Sequence, residues 1–215
     1  MLIVIPWQAG CPHRERALGW VLERYAEANL PVAVAEHDGP WCKAQAVAAI
    51  DLPAGPIAIA DADVWLDADA LRQAFIQLDT HGWAIPHGDV CRLTEAATDA
   101  LIAGDALPAN PYTERPYHGW AGGGIVVTTG ETYRQAPLDP RFVGWGQEDE
   151  SWALALRALA GEPWRGTAPL THLYHPPQDR LNRRTGTHQG RTLHRRYLRA
   201  RRNADAMRAL LEEVA

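Results

Sequence analysis

The chain has 215 residues, of which 47% are apolar, and a formal net charge of −5. This length and composition fit one domain with its own core, or one domain with an appendage. No apolar run approaches the ~18 residues of a membrane span, and residues 1–6 are too short, and lack the basic flank, for a signal peptide. Three cysteines without CxxC spacing indicate reduced thiols. We therefore expect a soluble cytoplasmic protein that is not bound to a membrane.

Strand and helix patterns alternate along most of the chain. Apolar runs predict strands at residues 2–7, 32–36, 57–60, 83–86 and 125–127, the last entered through the glycines at 122–124. Helical periodicity predicts helices at residues 14–28, 41–50, 67–78, 94–103 and 151–159. Asp67 or Asp69 and Thr94 are candidate N-caps. This order predicts an α/β fold with a largely parallel sheet, in which ligands bind beyond the carboxyl ends of the strands.

The last 38 residues differ from the rest in charge. Residues 178–215 contain ten arginines and four acids, a net charge of +6, which leaves −11 for residues 1–177. The apolar side chains recur at steps of four and three residues and predict one long amphipathic helix, with the stripe Leu193, Tyr197, Ala200, Ala204, Met207, Leu211 and Val214. Arginines fall off this stripe, so we expect a domain at 1–177 with a basic loop and helix, 178–215, packed on it. The helix then presents either a site for a polyanion or only a solvated face.

Two aspartates, Asp61 and Asp63, follow the predicted strand at residues 57–60. At a strand end, one carboxylate can reach a divalent cation while the other meets a sugar hydroxyl or a second ion. Mg²⁺ and Mn²⁺ prefer such oxygen ligands and complete their shell with substrate phosphates. The alternative interpretation is a turn with a helix cap.

The segment 142–150 reads Phe-Val-Gly-Trp-Gly-Gln-Glu-Asp-Glu and delivers three consecutive acids at the start of a helix. Acids in a first helical turn are favoured by the helix dipole alone. That explanation does not account for the glycines on both sides of Trp145, which suit a backbone that approaches a ligand closely. His172 and His175 lie downstream, and either could bind a metal together with Asp63.

The order of these motifs resembles that of GT-A glycosyltransferases. Asp-x-Asp after a strand is followed by Trp-Ala-Gly-Gly-Gly-Ile at residues 120–125, the 142–150 segment and the histidine pair. The likeness is to the β-1,4-galactosyltransferase and polypeptide N-acetylgalactosaminyltransferase group, whose signature is Trp-Gly-Gly-Glu-Asp or a near variant. It covers residues 1 to about 177. Gln147 replaces the second glycine of the signature and Glu150 shortens its run of aspartates, which leaves the donor sugar and the acceptor open.

The resemblance implies a role for each matching residue. It implies donor-binding roles in a nucleotide pocket for Pro6, Trp7, Arg14, Glu36, Asp38, Trp41, Lys43, Asp61, Gly123, Gly124 and Trp145. It implies that Asp63 and His175 bind Mn²⁺ or Mg²⁺, with Asp61 and His172 as further candidates. It also implies that Glu148 contacts a sugar and that Asp149 is the general base of an inverting transfer from a nucleotide sugar, a UDP-sugar above all.

The acceptor remains open between two hypotheses. One is a hydroxymethylated base in DNA, because arginines such as Arg195 and Arg199 suit a phosphate backbone and Trp120 and Tyr117 could hold an extruded base. The other is a soluble glycan or protein, with arginines at 180, 183 and 184 closing on the donor diphosphate. A non-catalytic nucleotide-sugar or nucleic-acid binding module and a metallophosphatase are kept as alternatives. The sequence does not determine the oligomeric state.

Overall fold

The computed structural model describes residues 1–177 and 186–214. Its strands are β1 (Leu2–Trp7), β2 (Val32–Glu36), β3 (Pro56–Ala60), β4 (Val64–Trp65), β5 (Trp83–Arg92), β6 (Tyr117–His118), β7 (Ile125–Thr129) and β8 (Trp164–His172). Its helices are α1 (Pro12–Glu27), α2 (Lys43–Ala48), α3 (Ala68–Gln77), α4 (Glu95–Ala103), α5 (Gly130–Gln135), α6 (Glu148–Ala160), α7 (His188–Ala200) and α8 (Ala204–Glu212). None of these helices is both long and apolar enough to cross a membrane.

The strands form one mixed sheet in the order β2-β1-β3-β7-β5-β8-β4, and β6 pairs with β5. Strands β1, β2, β3, β5 and β8 share one direction, because β7 is antiparallel to both β3 and β5 and therefore restores the direction across the sheet. The short strands β4 and β6 run the opposite way. The predicted α/β class with a largely parallel sheet is confirmed.

Two apolar cores cover the two faces of the sheet. On one face, side chains of α2, α5, α6, α7 and α8 pack against the strands around Trp83 and Trp152. On the other face, α1 and α3 pack around Tyr25 and Leu71. The central strands contribute alternate residues to the two cores, such as Ile57 to one and Ala58 to the other.

The predicted helix starts at residues 67 and 94 are confirmed by their caps. The Asp67 carboxylate accepts hydrogen bonds from the amides of Asp69 and Ala70, and the Thr94 hydroxyl accepts one from Ala97. These side chains satisfy amides that have no partner inside the helix.

The sequence pattern predicts only the start of β5 and does not predict β8. β5 continues from Trp83 through Pro86 and Gly88 to Arg92, with register shifts against β8 on either side of His87. β8 itself has few apolar residues, and pairing with β5 rather than an apolar run maintains it. Since β5 and β8 are parallel, their carboxyl ends carry Arg92 and His172 to the same edge.

The prediction of one long C-terminal helix is wrong, because the chain forms two. α7 ends at Ala200, and Asn203, in an extended conformation, caps α8 by accepting from the amide of Ala206. The apolar spacing survives the break, so that Leu193 and Met207 enter the same core. Arg195 and Arg199 remain exposed on α7, and Arg202 is exposed in the turn that follows it.

Candidate active site

A cavity of about 390 Å³ lies at the carboxyl edge of the parallel strands. Residues predicted for donor binding, metal binding and catalysis line it together, namely Pro6, Arg14, Trp41, Lys43, Asp61, Asp63, Trp145, Glu148, Asp149, His172 and His175. The lining also includes side chains that sequence reasoning missed, among them Arg92, Thr113 and Tyr174. Arg92 could have been found only by placing the end of β5 correctly, because no motif surrounds it.

Asp63, His172 and His175 form a cluster of side chains that could hold a metal ion (the metal-type cluster). One donor atom from each of the three lies within 4.8 Å of the others. The antiparallel pairing of β4 with β8 brings them together, since Val64 faces His172 and the amide of Leu173 donates to the Asp63 carbonyl at 2.8 Å. Asp63 is buried, with only 4% of its side chain exposed. Donor atoms from two segments that are distant in the sequence therefore lie close together.

Backbone carbonyls orient both imidazoles of this cluster. The Nδ1 atom of His172 lies 2.8 Å from the Leu173 carbonyl, and that of His175 lies 2.7 Å from the Pro176 carbonyl. With Nδ1–H donating in each case, both Nε2 atoms present lone pairs toward Asp63, at 4.0 Å for His172 and 3.4 Å for His175. Such a second hydrogen bond is what fixes the tautomer and orientation of metal-binding histidines.

Two arginines contact the same cluster. Arg14 Nε donates to Asp63 Oδ2 at 3.1 Å, and Arg92 Nη1 lies 3.0 Å from His172 Nε2. Burial alone would raise the pKa of Asp63, but the neighbouring His172 and Arg14 lower it below its usual value. Asp63 is therefore an ionised, buried carboxylate. His175 Nε2 is the more open of the two imidazole donors, because Arg92 already occupies that of His172.

Lys43 joins two of the predicted acids. Its Nζ atom lies 2.8 Å from Asp61 Oδ1 and 2.8 Å from Asp149 Oδ1. The other oxygen of Asp61 accepts from the amide of Gly124 at 3.2 Å. Asp61 thus lies outside the cluster of Asp63 and the histidines, and its part in metal binding stays a prediction.

The two acids at the start of α6 face the cavity in different environments. Burial, followed by repulsion from Asp149, raises the pKa of Glu148 to about 8. Within the described residues, Glu148 Oε2 has no hydrogen-bond partner. Burial also raises the pKa of Asp149, against the attraction of Lys43. At neutral pH Glu148 is therefore protonated, and Asp149 lies beside the Lys43 ammonium.

Glycines allow the acids to reach this position. Gly144 and Gly146 have φ values of 85° and 106°, in the left-handed region that favours glycine. A Cβ on Gly122 would lie 1.9 Å from the carbonyl oxygen of Asp149, so α6 can begin here only because residue 122 has no side chain. The glycines at 122–124, 144 and 146 thus determine the position of Glu148 and Asp149.

Aromatic side chains form one wall of the cavity. Trp41 and Trp145 stack with ring centroids 5.2 Å apart and planes 15° apart. The Arg14 guanidinium lies 4.7 Å from the Trp145 ring centroid, a cation–π distance. Arg14 therefore links the segment around Trp145 to Asp63.

Other predicted site residues lie away from the cavity lining, and their roles remain predictions. Trp7 is buried behind Arg14, and Tyr117 accepts a hydrogen bond from Arg92 Nε at 2.9 Å. Gly123 lies next to the Asp149 carboxylate, and the amide of Gly124 donates to Asp61, but neither glycine lines the cavity. Those in solvent are Glu36, Asp38, Trp120, Arg195 and Arg199. The arginines at 180, 183 and 184 lie outside the described residues.

No protein-family model matches the chain, and no curated protein matches it by sequence. Among solved structures, it is similar to a Drosophila β-1,4-galactosyltransferase 7 mutant in complex with manganese, UDP-Gal and xylobiose, at 17% identity and a TM-score of 0.47, over 81% of this chain and 71% of that one. It is similar to a Pyrobaculum calidifontis mannosyltransferase in complex with GDP-Man and Mn²⁺, at 17% identity and a TM-score of 0.46, over 98% and 67%. A third is a putative glucose-1-phosphate thymidylyltransferase from Bacillus anthracis, at 11% identity and a TM-score of 0.37, over 94% and 95%. These similarities are distant, and the fold described above rests on this chain's own strand order and directions.

Proposed function

We propose that the protein is a metal-dependent glycosyltransferase that moves a sugar from a nucleoside diphosphate sugar to an acceptor hydroxyl with inversion. One observation carries the proposal: a single cavity holds a carboxylate–imidazole cluster and, from a separate helix, the Asp149 carboxylate. A metal-type cluster suits a diphosphate, and a separate carboxylate suits the removal of a proton from an alcohol. The motif resemblance adds the expectation that the donor is a UDP-sugar.

The donor set of the cluster fits Mn²⁺ better than Mg²⁺. Carboxylates suit both ions, whereas imidazole nitrogen suits the softer first-row metals. Asp63 and His175 would hold the ion, with His172 available if Arg92 moves away from it. When bound, the ion would stabilise the negative charge that develops on the departing diphosphate.

The protein's own residues account for the remaining steps. Asp149 takes the proton of the acceptor hydroxyl while that oxygen forms its bond to the anomeric carbon and the bond to the diphosphate oxygen breaks. Glu148, protonated at neutral pH, donates a hydrogen bond to a sugar hydroxyl. The stacked pair of Trp41 and Trp145 offers an apolar face to a sugar ring and excludes water from the reacting atoms.

A donor and acceptor panel tests this proposal. The protein with Mn²⁺ is incubated with UDP-, GDP- and other nucleotide sugars, and nucleoside diphosphate release is followed together with the mass of the acceptor. Asp149→Asn should lower the transfer rate by about 10²- to 10⁴-fold, the usual contribution of a general base. Glu150→Gln is the matched control, because Glu150 shares the first turn of α6 but does not line the cavity. Equal losses in the two variants, or no acceptor-dependent release with any donor, would refute the proposal.

The same assay separates the two alternatives. A non-catalytic binding module predicts that a nucleotide sugar binds but that Asp149→Asn changes nothing measurable. A metallophosphatase predicts phosphate release without any acceptor. One carboxylate and two imidazoles are few ligands for a two-metal hydrolytic site, which favours the transferase.

Of the two acceptor hypotheses, DNA is the one that exposed basic and aromatic side chains would suit. Arg195 and Arg199 are exposed on α7, and Trp120 is 67% exposed in the loop before β7. Reversal of Arg195 and Arg199 to glutamate leaves the contact between Arg196 and Glu213 intact, so the variant tests the exposed charge alone. If hydroxymethylated DNA is the acceptor, its binding should weaken steeply with salt and the double variant should bind it at least about tenfold less tightly. Unchanged DNA affinity, with transfer to a soluble glycan or protein, supports the other acceptor.

A further inference from the structure

Lys43 is the single lysine of a chain that otherwise uses arginine for its permanent positive charges. It occupies the first position of α2, directly after the N-cap residue Cys42, and only 6% of its side chain is exposed. Composition predicts arginine at almost any basic position of this protein. The one exception lies inside the candidate active site.

The Lys43 ammonium connects three elements that are distant in sequence. From the start of α2 it reaches Asp61, after β3, and Asp149, at the start of α6, at 2.8 Å each. Asp61 in turn accepts the amide of Gly124, before β7. The position of the Asp149 carboxylate is therefore tied through Lys43 to the edge of the sheet.

The chemistry of the two basic side chains explains why lysine stands here. An ammonium is compact and directs three donors from one atom, whereas a guanidinium is planar and presents its donors in a wide fork. Two carboxylates that both lie 2.8 Å from one nitrogen match the ammonium. A guanidinium at this place would push Asp61 and Asp149 apart.

The two oxygens of Asp149 have different surroundings. Oδ1 accepts from Lys43. Oδ2 points toward the glycines at residues 122–124, 3.7 Å from the place where a Cβ on Gly123 would be. The missing side chain of Gly123 leaves space beside the oxygen that Lys43 does not occupy.

We propose that Lys43 is a positioning residue for the transfer reaction, which holds Asp149 by Oδ1 so that Oδ2 is the oxygen that receives the acceptor's proton. This inference rests on the proposed function. The proton leaves the acceptor hydroxyl and ends on Oδ2; the acceptor oxygen bonds to the anomeric carbon, and the diphosphate departs with the electron pair of the broken bond. Lys43 keeps its proton throughout, and its charge stabilises Asp149 until the carboxylate is neutralised.

The competing role for Lys43 is direct contact with the donor diphosphate, which the family resemblance suggests for a basic residue here. The two roles differ in how the effects of two mutations combine. A residue that acts through Asp149 has nothing to position once that carboxylate is gone. A residue that binds the donor keeps its effect in an Asp149 variant.

A double-mutant cycle with Lys43→Met, Asp149→Asn and the double variant tests the inference. Donor affinity is measured by calorimetry without acceptor, and kcat and both KM values are measured at saturating Mn²⁺. We expect Lys43→Met to lower kcat about 100-fold or more with a donor KM within threefold of wild type. The double variant should be no slower than Asp149→Asn alone. Losses that multiply, or a tenfold weaker donor affinity with kcat unchanged, would overturn the inference.

Lys43→Arg is the matched variant, because it retains the charge and changes only the geometry. It should fail to restore wild-type kcat, and a full rate with arginine would contradict the positioning role. The double variant also lacks both members of the Lys43–Asp149 ion pair, so it remains informative if Lys43→Met alone does not fold. Failure of the proposed function is seen separately, as absence of transfer by the wild-type protein.

Discussion

His87 is the buried histidine that should make this fold sensitive to acid. It lies in β5 with no exposed surface, and its Nε2 atom lies 3.3 Å from the carbonyl oxygen of Gly123. Its ring fills the space left by Gly119 and Gly124, which are close enough that a Cβ on either would contact it. The imidazole therefore supports the glycines at residues 122–124, beside Asp149.

The magnitude follows from the pKa of His87, which burial lowers from 6.5 to about 4. Above pH 6.5 the imidazole is neutral in both the folded and the unfolded chain, and the free energy of unfolding does not depend on it. Between 6.5 and about 4 the unfolded chain takes up a proton that the folded protein excludes, so stability falls as the pH falls. With 1.36 kcal/mol for each pKa unit, the loss is roughly 3 kcal/mol.

The assay compares denaturant unfolding of the wild type and His87→Gln between about pH 7 and pH 4. The variant can be less stable at pH 7, because its amide must replace a packed ring. The wild type should nevertheless lose roughly 3 kcal/mol more than the variant over this range. His118→Gln is the matched control, since His118 is exposed in the neighbouring β6 and its loss should leave the wild-type pH dependence in place. Parallel curves for the wild type and His87→Gln would refute the reasoning.

Three further predictions concern metal binding, the glycines beside the candidate active site and the anchoring of α7. Asp63→Asn removes the only carboxylate of the metal-type cluster among the described residues and should weaken Mn²⁺ binding more than about tenfold in a spectroscopic titration of the free ion; unchanged affinity would place the metal elsewhere. Gly122→Ala should abolish transfer, because its Cβ would lie 1.9 Å from the Asp149 carbonyl oxygen, while Gly104→Ala, with a φ of 78° and open space, should cost only about 1 kcal/mol in unfolding and keep full activity. Tyr197→Phe removes a buried 2.7 Å hydrogen bond to a carboxylate and should lower the free energy of unfolding by roughly 1.5–3 kcal/mol, and a loss near zero in denaturant titration would contradict the anchoring of α7 by this bond.

Local sequence signals predicted the features whose causes are local. An apolar run that begins after a proline is enough to place β2, and side chains that accept from amides two or three residues ahead place the starts of α3 and α4. The predicted positions of the acids are confirmed, because residues 61 and 63 follow the end of β3 and residues 148–150 form the start of α6. Strong periodicity over a few residues is therefore sufficient for the framework around the site.

Pairing between distant segments had to be seen in the structure. The extension of β5 past Pro86 and the whole of β8 depend on each other, and neither has an apolar pattern that stands alone. Arg92 enters the cavity through this pairing. The sequence pattern does not predict the break between α7 and α8, because the apolar side chains keep the same spacing across Asn203.

By itself, the sequence determined which chemical groups this protein has at the ends of its strands: paired aspartates, a glycine-framed tryptophan, three acids and two histidines. Only the tertiary structure decided which of these groups contact one another. Asp63 joins the histidines, whereas Asp61 and Asp149 share the ammonium of Lys43. The physical reason is that residue types and spacing specify local geometry, but the assignment of a buried charge to its partner depends on which elements the folded sheet brings within about 3 Å.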